Sequence, residues 1–166
     1  GLVLAARMLG KINPIHVQTT LEHCEQDYAR AAEILGEYDV GLRTDVTGFG
    51  LLGHLQSSLP SGLGAFVDAR SLPLLPGAVS AYHAGVRPTI LSANQKVTRP
   101  LLLKEPAPEV SALLHDPQTS GGLLVSVPSE QAEAINDALI DAGYSFSRVI
   151  GTVTNSGKLE VSGSWA

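Results

Sequence analysis

The apolar residues of this chain come in short runs, such as Leu2–Ala6, Ala65–Val67 and Leu123–Val125, each closed within a few positions by glycine, proline or a polar group. The 17 glycines and 10 prolines spread through 166 residues keep most of the elements short. A membrane-crossing helix needs ~18–20 consecutive apolar residues, and no run approaches that. What remains is a compact alternation of short helices and short strands, a sheet carrying helices, of class α/β or α+β.

Domains commonly run to ~100–150 residues, so one domain is expected, large enough to build a real core. That core must be aliphatic, since only 5% of the residues are aromatic. Charged residues make up 16% and hydrophobic residues 44%, a balance that excludes a disordered chain. The net charge of −5 with scattered Lys and Arg argues against a nucleic-acid surface, though not against a phosphorylated small molecule. The single Cys24 cannot form an intrachain disulfide, which favours a reducing, cytoplasmic setting. Arg7 interrupts the first apolar stretch and no basic segment precedes it, so neither a signal peptide nor a membrane anchor is expected. The chain starts at Gly1 without an initiator methionine, as a processed or excised piece of a longer protein would.

Residues 1–9 read as a helix ended by Gly10 and the Asn13-Pro14 turn. Thr19 and Glu22 have the spacing of a capping box, and Leu21, Cys24, Tyr28, Ala31, Ala32 and Leu35 repeat at helical spacing, which predicts one helix over 20–37 with Cys24 on its apolar face. Strands are expected over 40–46 and 63–69, with a helix starting near Leu51 and another over 75–84 stopped by Gly85. Residues 86–106 show no clean period and contain three prolines, so they read as a long loop. A short helix near 107–114, a strand over 123–127, and a helix capped by Ser129 and ended by Gly143 follow. The runs 146–153 and 158–162 are expected to pair as a hairpin through Thr154–Gly157.

Two segments carry chemistry. In Thr44-Asp45-Val46-Thr47-Gly48-Phe49-Gly50 a carboxylate ends a strand just before glycines that open a helix. The start of a helix offers unpaired N–H groups and positive dipole to an anion, and glycines let the anion come close. Asp45 beside such a place could give Mg²⁺ a hard oxygen ligand, although the same residues also suit a plain capped helix start. The second segment, Asp116-Pro117-Gln118-Thr119-Ser120-Gly121-Gly122, concentrates polar residues and paired glycines between a helix and a strand. It lacks the Gly-Lys-Ser/Thr ending of a P-loop, yet its backbone could form a nest of N–H groups; a tight Asp-Pro turn is the other reading. The five histidines never take the paired spacing of zinc sites, and no Gly-x-Ser-x-Gly elbow is present.

Taken together, Thr44–Leu55 and His115–Val125 resemble the C-terminal half of the selenophosphate synthetase (selenide, water dikinase) family, with Leu72–Ala78 and Val149–Val153 adding to the likeness. The resemblance runs from about 38 to 162; residues 1–37 match in helical character only. It implies an aminoimidazole-ribonucleotide-synthetase-like domain: a layered mixed sheet flanked by helices, with ferredoxin-like elements. On that basis 1–166 would be a single C-terminal domain of a larger enzyme, with N-terminal helices over 1–37 and the family core over 38–162. The implied reaction turns selenide, ATP and water into selenophosphate, AMP and orthophosphate with Mg²⁺, in an enzyme that is usually a homodimer. Asp45 matches a family aspartate that helps hold the metal on the ATP phosphates. Thr47, Gly48, Gly50, Thr119, Ser120, Gly121 and Gly122 fall in the motifs expected near phosphate.

The family's glycine-rich segment, its reactive Cys or selenocysteine and its nearby Lys belong to the N-terminal half, so no catalytic residue is expected in this stretch, and Cys24 is not the reactive one. ATP and selenide would be bound through that other half. Within 86–106 the chain departs from the family: the polar segment usual there does not align, and Asn94, Lys96 and Arg99 are the residues that could substitute for it. Two other readings stay open: a binding or assembly module of the same fold, and another ATP-dependent enzyme of the superfamily, against which the intact Asp116–Gly122 run argues.

Overall fold

A computed structural model describes residues 1–165. Helices α1 (Leu2–Met8), α2 (Pro14–Cys24) and α3 (Ala29–Leu35) precede strand β1 (Leu42–Asp45), helix α4 (Gly50–Ser58) and strand β2 (Gly64–Asp68). Three helices follow, α5 (Ala78–His83), α6 (Leu91–Thr98) and α7 (Pro108–Leu114), then β3 (Leu123–Ser126), α8 (Ala132–Asp141), β4 (Gly151–Thr154) and β5 (Leu159–Ser162). The α/β class therefore holds. Its β-structure is divided between an antiparallel pair, β1 with β3, and a mixed three-stranded sheet in the order β4-β2-β5.

One aliphatic core joins the two sheets. Leu42 and Leu124 from the pair, Ala65, Val67 and Leu159 from the mixed sheet, Leu52 and Leu55 of α4, and Val110 and Leu114 of α7 are all buried together. A second cluster packs α1 (Leu2, Val3, Ala6) against α5 (Ala78, Ala81), with Val86 and Leu113. Leu113 and Leu114 are adjacent, so α7 ties the clusters to each other. Each fully buried leucine here contributes about 1.5–3 kcal/mol relative to exposure.

Four expectations are corrected. The single helix over 20–37 is two helices. Pro14 occupies the first turn of α2 and the Asn13 side chain accepts from the Ile15 amide at 3.1 Å, a start that overrides the Thr19/Glu22 box. Thr19 lies within the helix, donating to the Ile15 carbonyl. The break is held by Asp27, which accepts from the Ala29 amide at 2.8 Å, and by the Tyr144 hydroxyl, which accepts from the Ala31 amide and donates to the Asp27 carbonyl. Cys24 is the last residue of α2 and half-buried, not part of a continuous core stripe.

The hairpin is also corrected. β4 and β5 do not pair with each other; β2 lies between them, antiparallel to β4 and parallel to β5. The reason lies in β2, whose residues 64, 65 and 67 are buried. A strand buried on both faces must pair its backbone along both edges, because unpaired amides inside the protein are costly.

Residues 86–106, expected as a loop, contain α6 and a 3₁₀ turn over Arg99–Leu101. The buried positions of α6 are Leu91, Asn94 and Thr98, and two polar members of that stripe hide its helical period. Ser129 opens a separate 3₁₀ turn over Ser129–Gln131, and its hydroxyl meets Glu130 rather than capping α8. No helix among the described residues is long and apolar enough to cross a membrane.

Candidate functional site

The two polar segments of the sequence lie side by side at one end of the β1–β3 pair. Antiparallel pairing sets Asp45 opposite Leu123, so the loop that leaves β1 and the loop that enters β3 emerge together. Backbone hydrogen bonds then clasp them: the Val46 amide donates to the Gly122 carbonyl at 2.9 Å and the Gln118 amide to the Thr47 carbonyl at 3.0 Å.

Glycine is required at two points of this clasp. Gly121 lies so close to the Val46 carbonyl that a Cβ there would overlap it. Gly50, the first residue of α4, has φ +68°, and a Cβ would come within 2.6–2.9 Å of the His115 backbone. Both the left-handed backbone and the close approach exclude a side chain without rearrangement.

Beneath the loops lies a polar layer. Asn94, on α6, is buried and donates from its amide nitrogen to the Gly48 carbonyl at 2.9 Å and the His115 carbonyl at 3.1 Å, one from each loop. The His115 ring is 1% exposed, with Nδ1 2.6 Å from the Ser111 carbonyl and Nε2 2.6 Å from the Thr98 hydroxyl. A neutral ring satisfies both contacts, Nδ1–H donating and Nε2 accepting. Burial lowers the pKa of His115, the Ser111 contact opposing it. The carboxylate of Asp116 is turned inward and accepts from the Leu2 amide at 2.8 and 2.9 Å, capping α1 from a distant point of the chain. Burial raises its pKa against the favourable contacts from the Gly1 nitrogen, Leu2 and Gln118. At the opposite side His54 reaches back from α4, where its Nε2 accepts from the Thr47 amide at 3.0 Å and lies 3.1 Å from the Thr47 hydroxyl.

The outer layer differs. Asp45, Thr119, Ser120 and Gly122 are exposed and Thr47 and Gly48 half-buried, whereas the half-buried Gly121 belongs to the clasp beneath them. Gly50 is buried and serves packing. Among the described residues, the amides of Gly48, Phe49, Thr119 and Ser120 donate to no group of the chain. Free N–H groups on two adjoining loops, one of which also carries a carboxylate, suit a metal-bound anion. Among the described residues, no three His, Cys, Asp or Glu side chains stand together as a metal cage. Asp45 is thus a single hard oxygen donor, which fits Mg²⁺ shared with phosphate oxygens, since that ion commonly takes one or two carboxylates and completes its shell from water and phosphate.

Of the expected site residues, the clasp brings Asp45, Thr47 and Gly48 next to Gly121 and Gly122. Lys96 and Arg99 take no part in it, whereas Asn94 does. Sequence reasoning missed His54, His115 and Asp116 as the supports of the loops. The only signal for His54 was its place one helical turn beyond Gly50.

Residues 4–164 match the family described as AIR synthase related protein, C-terminal domain. Among curated proteins, the chain is 38% identical over 164 residues to a selenide, water dikinase of Carboxydothermus hydrogenoformans, covering 97% of this chain and 48% of that protein. It is 33% identical over 159 residues to one from Porphyromonas gingivalis, covering 94% and 45%. Over 125 residues it is 37% identical to selenide, water dikinase 2 of Peptoclostridium acidaminophilum, covering 74% and 36%. The chain therefore spans about half, or less, of the length of the curated relatives it matches. With nearly its whole length matched, from the α1 helix to the end of the mixed sheet, the chain belongs to the AIR synthase related family through the C-terminal domain, and it resembles that domain of the selenide, water dikinases.

Proposed function

We propose that this chain is the C-terminal part of an ATP-dependent selenophosphate-forming enzyme, one that converts selenide, ATP and water to selenophosphate, AMP and phosphate. The observation that supports this reading is the clasp: two motif loops fixed edge to edge, with Asp45 and four free amides on their outer side. Asp45 would hold Mg²⁺, and that ion, when bound, would supply positive charge against the phosphates. The amides of Gly48, Phe49, Thr119 and Ser120, with the hydroxyls of Thr119 and Ser120, bind and orient phosphate oxygens. Because phosphoryl transfer depends chiefly on positioning and electrostatics, fixed donors of this kind suit it without a nucleophile from this chain.

The remaining half of the enzyme supplies the selenide-handling residues and most of the ATP contacts, and the assembly is a homodimer. In the protein carrying both halves, Asp45→Ala lowers selenide-dependent AMP formation by about a hundredfold or more, in line with the loss of a metal ligand. Turnover at the parent rate would overturn the metal role. The 166-residue chain alone consumes no ATP in the presence of selenide; consumption would overturn the divided site.

A further inference from the structure

We propose that the groove between α5, α6 and the segment leading into α7 is a second binding site, one that takes the diphosphate group of a phosphorylated small molecule. Its volume is about 860 Å³, within the range of small-molecule sites. The protein as a whole carries 16 acidic against 11 basic residues, yet this groove is lined by Arg87, Lys96 and Arg99 with Glu105 as its one acid. A local excess of two positive charges in a net-negative protein focuses anions toward this place.

The cations are arranged for use. Arg87 lies over the Tyr82 ring at 3.9 Å and donates from one nitrogen to the Tyr82 and Val86 carbonyls, so the guanidinium is held in place with its other donors free. Arg99 spends one nitrogen on Glu105 at 3.0 Å. Among the described residues Lys96 has no ion pair or hydrogen bond. Ser92 and Lys96 are one turn apart and share a face of α6, and Arg99, first residue of the 3₁₀ turn that follows, lines the same groove, while Asn94 is directed to the Gly48 and His115 carbonyls. At the head of α6 the N-cap is Ile90, whose side chain cannot accept a hydrogen bond, and Ser92 of the first turn lines the groove. An uncapped helix start, a planar guanidinium with free donors and an unpaired ammonium form a donor set that matches phosphate oxygens in number and sign. The groove is larger than a bare diphosphate needs, which leaves room for an organic part.

The inference does not rest on the role given to Asp45. Isothermal titration in EDTA with ADP and, separately, with inorganic pyrophosphate tests it, because no Mg²⁺ is available there to assist binding through Asp45. Saturable single-site binding is expected, and the double variant Lys96→Glu/Arg99→Glu weakens it about tenfold or more. Tighter binding of ADP places the nucleoside in the spare volume, and equal binding makes the diphosphate group alone the ligand; both support the site. Absence of binding by both compounds, or affinity retained in the double variant, overturns it. Should the double variant not fold, Ser92→Asp places a carboxylate at the head of α6 with every cation intact, and the same loss of affinity is expected.

Discussion

The two layers of the loop clasp differ in what their polar groups do. In the inner layer every polar side chain is committed: Asn94 to two carbonyls, His115 to Ser111 and Thr98, Asp116 to the amide of Leu2. In the outer layer Asp45, Thr119 and Ser120 are exposed, on loops whose amides include four without a partner among the described residues. Buried polar groups must be satisfied within the fold, whereas exposed ones stay free to meet a ligand. One short stretch, from His115 to Gly122, contains both kinds, so motif membership alone does not separate support from contact. Substitutions should separate them, with large stability effects below and none above.

Gly121→Ala is expected to have the largest effect. The added Cβ overlaps the Val46 carbonyl, so the loops must part at the point where they are clasped. A loss of about 3 kcal/mol or more follows, at the high end for a single substitution. Urea denaturation followed by circular dichroism measures it, and a loss below about 1 kcal/mol would place Gly121 in the outer layer instead.

Asn94→Leu comes next. It keeps the approximate volume but leaves the Gly48 and His115 carbonyls without their shared donor, at a cost of about 1–3 kcal/mol for each buried group left unpaired. Faster hydrogen exchange at Gln118 and Val46, the two amides that join the loops, should accompany the lower urea midpoint. An unchanged midpoint with unchanged exchange would show that the loops hold without α6.

A smaller, pH-dependent effect is expected from His115. Its folded pKa is depressed below the ordinary histidine value by burial, so above that value both states are neutral and the ring has no pH-dependent cost. As pH falls through the unfolded pKa of ~6.5 the unfolded chain takes up a proton that the folded one refuses, and stability declines until the folded pKa is passed. Asp116 works in the opposite direction, since a raised carboxyl pKa relieves its burial cost on protonation. Comparison of the parent with a His115 variant between pH 7 and 5 isolates the histidine contribution. As pH falls across that window, stability should drop more in the parent than in His115→Gln; equal slopes would mean that the ring titrates alike in the folded and unfolded chain.

How much of this was readable beforehand depends on what each residue does. The outer layer was legible because Asp45, Thr119 and the glycines occur in unbroken runs between a strand and a helix. So were β1, β2 and β3, whose apolar runs are bounded by turn residues. The inner layer was not. Asn94 and Thr98 occupy buried helical positions where an apolar residue is expected, so the helix that carries them read as a loop. His115 and Asp116 find partners in α6, α7 and α1, contacts made across the fold that no local spacing encodes. The order β4-β2-β5 was hidden for a related reason: adjacent strands in sequence suggest a hairpin, and only the need of β2 for two partners overrules it.

The smallest stability effect is expected from Asp45→Asn, and it tests the comparison most sharply. Asp45 is exposed, takes part in no ion pair among the described residues and is held only by its backbone in the β1–β3 pairing, which asparagine reproduces. The substitution removes one charge at nearly constant shape, so unfolding in the absence of ligand should change by no more than about 0.5 kcal/mol. Added Mg²⁺ with a nucleotide distinguishes the layers, because a ligand that binds only the folded state raises its stability in proportion to occupancy. In the full-length protein, the thermal shift given by Mg-ATP should be diminished in Asp45→Asn and kept in Asp116→Asn, even though the latter variant is the less stable at the start. A diminished shift in Asp116→Asn alone would exchange the two roles: the carboxylate that caps α1 would then be the one that governs ligand binding, and Asp45 would be an ordinary surface residue at the end of a strand.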